Sequence, residues 1–241
     1  MLKKIKYKRV LLKLSGEVFA GGKEDESFDI EVCKAICKEV IDLTKLGVQV
    51  AIVVGGGNIW RYRDNKALPI DRVDSDSMGM LATMMNVLFL RNVFQFLKFN
   101  KVVGLASNGP NQIVEPYTVR KARAKLAEGN VVILGGGTGN PFFTTDSASA
   151  LRALELKCDV FLKATNVDFI YDKDPKKNKN VKSFKKLTYG EILKRELGVM
   201  DLAAVSLCME NNLPIELFNL QKKGNICKVV KGQSVGTLVT N

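Results

Sequence analysis

Three short apolar runs in this chain each end in glycine, a pattern that restricts the fold to a sheet whose strand ends carry tight, phosphate-sized turns. Residues 131–146 read VVILGGGTGNPFFTTD. Val131 to Leu134 has the length and composition of a fully buried strand. It runs into three glycines, then Thr138, Gly139, Asn140, Pro141, the Phe142–Phe143 pair and Thr144. Asp146 then opens an Ala/Leu-rich helix predicted over Ser147–Leu156. Residues 48–57, VQVAIVVGGG, repeat the device ahead of Asn58, Ile59, Trp60 and Arg61. A weaker copy runs from Arg9 to Glu17, RVLLKLSGE. Glycines let backbone N–H groups crowd together, and a helix N-terminus adds partial positive charge, so strand, glycine turn and helix start together favour phosphate. A single turn of this kind is most simply a tight turn. Three of them, with Lys13, Arg61 and Asp146 attached, indicate one site for several phosphates. A carboxylate in such a place implies a cation beside it, a metal or a lysine.

Between these runs, strand and helix patterns alternate. Strands are predicted at Lys8–Leu14, Val48–Val54, Lys101–Ala106, Val131–Leu134, Asp159–Ala164 and Ile215–Asn219, with short final strands at Cys227–Val230 and Thr237–Thr240. Helices are predicted at Ile30–Leu46, Ser77–Phe99 (capped near Ser75 or Asp76), Thr118–Glu128, Ser147–Leu156, Thr188–Leu197 and Asp201–Asn211. The strands lack a polar face of their own. That requires a mostly parallel sheet covered on both sides: an α/β, three-layer αβα sandwich. No linker divides the chain, so residues 1–241 are expected to form one domain. Ligands of such sheets bind beyond the carboxyl ends of the strands, where all three glycine turns fall.

Bulk properties narrow the chemistry. Apolar residues make up 46% of the 241, enough for a large core. A net charge of +12 calls for anionic partners. The lysines are scattered rather than striped, which speaks against a nucleic-acid surface. Histidine is absent, which excludes histidine acid/base, metal and phosphohistidine chemistry. The five cysteines are widely spaced and odd in number; Cys33 and Cys37 lie one helical turn apart, a core arrangement rather than half a zinc site. A reducing cytoplasm is the expected compartment, and no apolar stretch is long enough for a membrane span.

Phosphoryl transfer depends on positioning and charge neutralisation more than on a covalent catalyst. Lysines and backbone amides suffice when Mg²⁺ accompanies the donor phosphates. The candidates are Lys13 at the first turn, Lys163 at the end of the Asp159–Ala164 strand, and Asp146 to orient both. From the residues alone, Lys163 reads equally well as an edge lysine reaching for solvent. The Walker pattern and the protein-kinase motifs are missing.

The residues KLSGE (13–17), GGGN (55–58) with Arg61, DSMGMLATMMN (76–86), GTGNPFFTTDSA (137–148), LKAT with VD (162–168), YDKDP (171–175) and VMDLAA (199–204) carry a resemblance that spans essentially the whole chain. It closely resembles the bacterial UMP kinases of the amino acid kinase family; GTGNPFFTTD and MGMLAT are highly specific motifs. The resemblance implies ATP-dependent phosphorylation of UMP to UDP, with Mg²⁺. It assigns catalysis to Lys13, Asp146 and Lys163, with no protein metal ligand. It assigns ATP to Lys13, Leu14, Ser15, Gly16, Gly57, Arg61, Thr165, Asn166, Tyr171 and Asp174. It assigns UMP to Gly56, Asp76, Gly137, Thr138, Gly139, Asn140, Pro141, Phe142, Phe143 and Thr144. It further implies a homohexamer built on the long apolar helices, with GTP as activator and UTP as inhibitor. Two departures stand out. Phe169 replaces a glycine usual after Val-Asp, and the polar residues of 91–101 and 113–123, the effector region of regulated members, follow the family pattern loosely. The alternative of the same fold is an amino-acid or carbamate kinase forming an acyl phosphate; GTGNPFFTTD and Asp76 fit a nucleotide acceptor better.

Overall fold

The computed structural model describes residues 5–21, 26–173, 177–178 and 180–241. In chain order the elements are β1 (Arg9–Leu14), α1 (Gly16–Phe19), α2 (Ile30–Lys45), β2 (Gln49–Val54), α3 (Arg72–Phe96), β3 (Val102–Ala106), β4 (Glu115–Pro116), α4 (Val119–Ala127), β5 (Val131–Gly135), α5 (Thr145–Glu155) and β6 (Val160–Thr165). There follow β7 (Ile170–Tyr171), β8 (Ser183–Phe184), β9 (Lys186–Thr188), α6 (Tyr189–Lys194), α7 (Leu202–Glu210), β10 (Ile215–Asn219), α8 (Asn225–Val230) and β11 (Gly236–Thr240). Among the described residues, one sheet runs β4-β3-β5-β2-β1-β6-β10-β11-β9, and β7 and β8 form a separate small pair. Within the large sheet only β10 and β11 pair antiparallel.

Strand alternation sorts the core into two layers. Val10, Leu12 and Leu14 of β1 join Val50, Ile52 and Val54 of β2 in a cluster covered by α1, α2, α3 and α8. Leu11, Ala51, Val53, Val132 and Phe161 point the other way, into a cluster covered by α4, α5, α6 and α7. The expected three-layer sandwich with a mostly parallel sheet is therefore the observed one. The same parity sends Lys13 and Lys163 to the α5 side, because they follow Leu11 and Phe161 by two residues.

Two expected elements differ. Cys227–Val230 is not a strand but the body of α8: Ile226, Val229 and Val230 are buried at helical spacing. Gly224 (φ +83°) opens that helix, and Asn225 donates from its side chain to Asn219 O at 2.9 Å. The long helix starts at Arg72 rather than Ser77, because Asp71, not Ser75 or Asp76, is its cap, accepting from Val73 N at 2.8 Å. The short strands β4, β7, β8 and β9 have too few residues to show an alternation.

The antiparallel step depends on a close approach. A Cβ on Gly236 would stand 1.9 Å from the carbonyl oxygen of Leu217 on β10. Gly236→Ala is therefore expected to destabilise the fold by about 2–3 kcal/mol, as overpacking does. For a chain of this size that lowers Tm by about 5–10 °C. Gly198→Ala, where a Cβ would meet nothing within 4 Å, is expected to melt with the unmodified protein. Equal melting temperatures for the two variants would refute the steric reading.

Candidate active site

The carboxyl ends of β1, β2 and β5 open onto a cavity of about 550 Å³. It is lined by Lys13, Ser15, Gly16, Gly56, Gly57, Arg61, Asp76, Gly137, Thr138, Asn140, Phe143 and Thr144, among others. The three glycine turns thus meet at one edge, as strand polarity requires.

The turns meet through their backbones. Gly55 N donates to Leu14 O at 2.9 Å, which ties the β2 turn to the end of β1. A Cβ on Gly16 would lie 2.2 Å from Gly57 N and 2.6 Å from Asn58 N, so only glycine lets the first two turns touch. Asn86 of α3, fully buried, donates to Gly55 O at 2.6 Å and pairs with Asn58. In the third turn Gly136 N donates to Thr83 Oγ1 at 2.7 Å.

Behind the cavity stand three charged groups. Lys13 and Lys163 are register partners on the neighbouring parallel strands β1 and β6. Asp146, in the first turn of α5, faces both. Lys13 Nζ is 3.2 Å from Oδ1, an ion pair rather than an aligned hydrogen bond, and Lys163 Nζ donates to Oδ2. All three side chains are largely buried. Burial pushes the Asp146 carboxyl up, but Lys13 and Lys163 outweigh it and hold the group below the usual carboxylate range. Burial is the main influence on Lys163 and lowers it; Asp146 acts in the opposite direction, Lys13 reinforces the lowering, and the ammonium ends below an ordinary lysine.

The start of α5 is anchored separately. Thr144 caps it, accepting from Asp146 N at 3.0 Å and Ser147 N at 3.3 Å. The Thr144 and Ser147 hydroxyls then donate to Asp201, itself the cap of α7. In the sequence Asp201 is the start of the predicted helix Asp201–Asn211 and part of the VMDLAA motif, with no site role. Its signal was an aspartate directly ahead of an Ala/Leu run, which marks a helix start.

On the α3 side, Asp76 Oδ2 accepts from Phe142 N at 2.8 Å and Arg72 Nε at 2.9 Å. Arg72 stacks on Tyr62 at 4.4 Å and approaches Phe142 at 5.6 Å. Phe142 has a left-handed backbone, φ +70°, which this clamp maintains. Arg61 pairs with Glu17 at 2.6 Å.

Other predicted residues lie elsewhere. Leu14 is fully buried in the core, so only its backbone reaches the turn. Gly139, Pro141 and Phe142 belong to the third turn but do not line the cavity. Thr165, Asn166 and Tyr171 do not line it either; the Thr165 hydroxyl donates to Val167 O at 2.9 Å. Asp174 lies outside the described residues. Trp60, Tyr62, Lys66, Arg72, Met80 and Thr83 also line the cavity and were given no role from sequence. Their positions depend on the packing of α3 against the β2 turn. Among the described residues, no three His, Cys, Asp or Glu side chains converge as metal ligands. No helix among the described residues is long and apolar enough to cross a membrane.

Known proteins resemble this chain in sequence and fold. The model of the amino acid kinase family matches residues 8–219. A uridylate kinase of Rickettsia bellii is 46% identical over 239 residues, 99% of each chain. The chloroplastic uridylate kinase PUMPKIN of Arabidopsis thaliana is 48% identical over 98% of this chain and 69% of its own length. The solved UMP kinase of Bacillus anthracis superposes with a TM-score of 0.93 at 40% identity, covering 97% of this chain and 96% of that one. Family model, sequence identity and fold agree, and the chain belongs to the amino acid kinase family.

Proposed function

We propose that the chain is a UMP kinase: it transfers the γ-phosphoryl group of ATP to UMP, giving ADP and UDP, and so supplies UTP and CTP synthesis. The observation that carries this reading is the Lys13–Asp146–Lys163 group behind a glycine-walled cleft, in a chain similar along its length to uridylate kinases.

The transfer forms a bond from a UMP phosphate oxygen to Pγ and breaks the bond from Pγ to the β-phosphate oxygen. The nucleophile needs no base, because a phosphate monoester has its second pKa near about 6 and is mostly dianionic at neutral pH. This suits a chain without histidine, whose central carboxylate already faces two ammonium groups. Lys13 and Lys163 neutralise charge on the oxygens of the phosphoryl in flight, and Asp146 holds them at the right separation. Mg²⁺ arrives with ATP as part of the substrate and neutralises its β- and γ-phosphates.

The N-terminal part holds UMP and the C-terminal part ATP, within one domain over residues 1–241. Gly56, Asp76 and the turn from Gly137 to Thr144 take UMP. Ser15, Gly16, Gly57, Arg61 and the Leu14 backbone take the ATP phosphates, and Thr165, Asn166, Tyr171 and Asp174 its adenosine. Arg61 exchanges Glu17 for phosphate as the donor binds. The same reading includes a homohexamer, GTP activation, UTP inhibition and a cytoplasmic location. The exposed stripe of Met78, Leu81 and Met85 on α3 supports the assembly.

With Mg-ATP and a panel of UMP, CMP, dUMP, TMP, glutamate, acetylglutamate and carbamate, ADP release is expected to be far fastest with UMP. Release with an amino acid or carbamate alone would overturn the acceptor assignment. Lys13→Ala is expected to lower kcat by about 10²-fold, the scale of one lost transition-state donor. An unchanged kcat would make Lys13 structural. In Asp146→Asn the anion that favours protonated Lys163 is gone. The Lys163 ammonium then loses its proton at lower pH, and the alkaline limb of the kcat profile moves down. A limb that stays put or moves up would separate Lys163 from the pH profile.

A further inference from the structure

One buried charge has no part in the chemistry above. Arg152 sits in the last turn of α5 and is only 6% exposed. Its Nη1 donates to Glu155 Oε2 at 2.6 Å. Its Nη2 donates to Ser107 Oγ at 2.7 Å and reaches the carbonyl oxygens of Gly137 at 3.2 Å and Thr138 at 3.4 Å. Ser107 Oγ donates in turn to Gly137 O at 2.9 Å, and Asn108 Nδ2 donates to Gly139 O at 3.3 Å. The guanidinium lies 4.3 Å over the ring of Tyr117, whose hydroxyl donates to Glu155 Oε2 at 2.6 Å.

The carbonyl side of residues 137–139 therefore faces a set of donors from two other segments, α5 and the turn after β3. Gly136, Gly137 and Gly139, at φ +73°, +56° and +87°, supply the left-handed backbone that this needs. In a trans peptide the C=O and the next N–H point in opposite directions. With Gly137 O held toward Arg152, the Thr138 N–H is turned to the other side, where Gly137 and Thr138 line the cavity. A rigid, planar fork is suited to holding two carbonyls at once; a lysine ammonium is not.

We propose that Arg152 is a positioning residue for the acceptor: with Ser107 it grips the carbonyl face of the third glycine turn and so aims the Thr138 N–H at the acceptor phosphate. This rests on the UMP-binding role given to that turn above. Arg152 touches no reacting atom and acts through the turn.

The test is steady-state kinetics of the full chain with Mg-ATP and UMP, each varied in turn, alongside thermal melting. Arg152→Met is expected to raise KM for UMP about tenfold, the scale of a lost charge-assisted hydrogen bond. KM for ATP is expected to stay within about twofold. Ser107→Ala raises KM for UMP less, and Arg152→Lys recovers part of the loss. Tyr117→Phe removes only the phenol bond to Glu155 and leaves KM for UMP unchanged. The proposal is overturned if Arg152→Met leaves KM for UMP unchanged, or raises both KM values in step with a lowered Tm. Should Arg152→Met not fold, Ser107→Ala decides: an unchanged KM for UMP then overturns it. Failure of the unmodified protein to phosphorylate UMP would instead strike the acceptor reading and Arg152 with it. Turnover of UMP with indifferent variants strikes Arg152 alone.

Discussion

Two lysine side chains emerge side by side from adjacent strands, and the site depends on what separates their charges. Lys13 and Lys163 are register partners across β1 and β6 and face the same layer. Neighbouring strands run about 4.8 Å apart, so two buried ammonium groups at that spacing repel unless an anion stands between them. Asp146 is that anion, and it reaches both only because α5 begins above the two strand ends. The start of α5 is therefore fixed relative to the sheet by charge as well as by apolar packing. A buried ion cluster is weak evidence of stability, since well-packed apolar groups often serve as well. Two cations with one anion leave the site one negative charge short, which on the proposed function a phosphoryl group supplies.

That arrangement works only if phosphates come close, and the backbone makes room for them. The turns after β1 and β2 touch with no side chain between them, so any residue larger than glycine at position 16 would force them apart. The buried Asn86 ties the β2 turn to α3 through Gly55 and Asn58. α3 thus acts as a rigid backing for two of the three turns, since Thr83 holds the third. Polar residues inside a long apolar helix are here the connection between core and site.

The sequence displays these features unevenly. Apolar runs ending in glycine reveal strand polarity, and polarity alone puts the turns on one edge. Register is not local information. Nothing near Lys163 reveals that β6 pairs with β1, so its role rested on resemblance. The Cys227–Val230 segment fits either period because it offers only three apolar residues around Lys228; the helix is set by Gly224 and Asn225 just before them. Asp71 as the cap of α3 is hidden by Ser75 and Asp76, equally plausible caps from composition. Arg152, an arginine in an Ala/Leu-rich helix, reads as a solvated side chain. Its partners Ser107, Tyr117 and Gly137 are distant in sequence and adjacent only once β3, β5 and α5 are stacked.

The third glycine turn is held from both helical layers at once. Thr83 and Asp76 of α3 take the N–H groups of Gly136 and Phe142, while Arg152 of α5 takes the carbonyls of Gly137 and Thr138. A loop of glycines left to itself samples many conformations, and ordering it on binding would lower affinity. Fixing it in advance from two faces removes that cost and leaves the N–H groups aimed before any ligand arrives. The same logic explains why a left-handed Phe142 is tolerated: strain at one residue persists where the surrounding bonds over-determine it. On the proposed function, specificity for the acceptor is built in part into core packing, through Thr83 and Arg152 on two helices that need not touch the nucleotide.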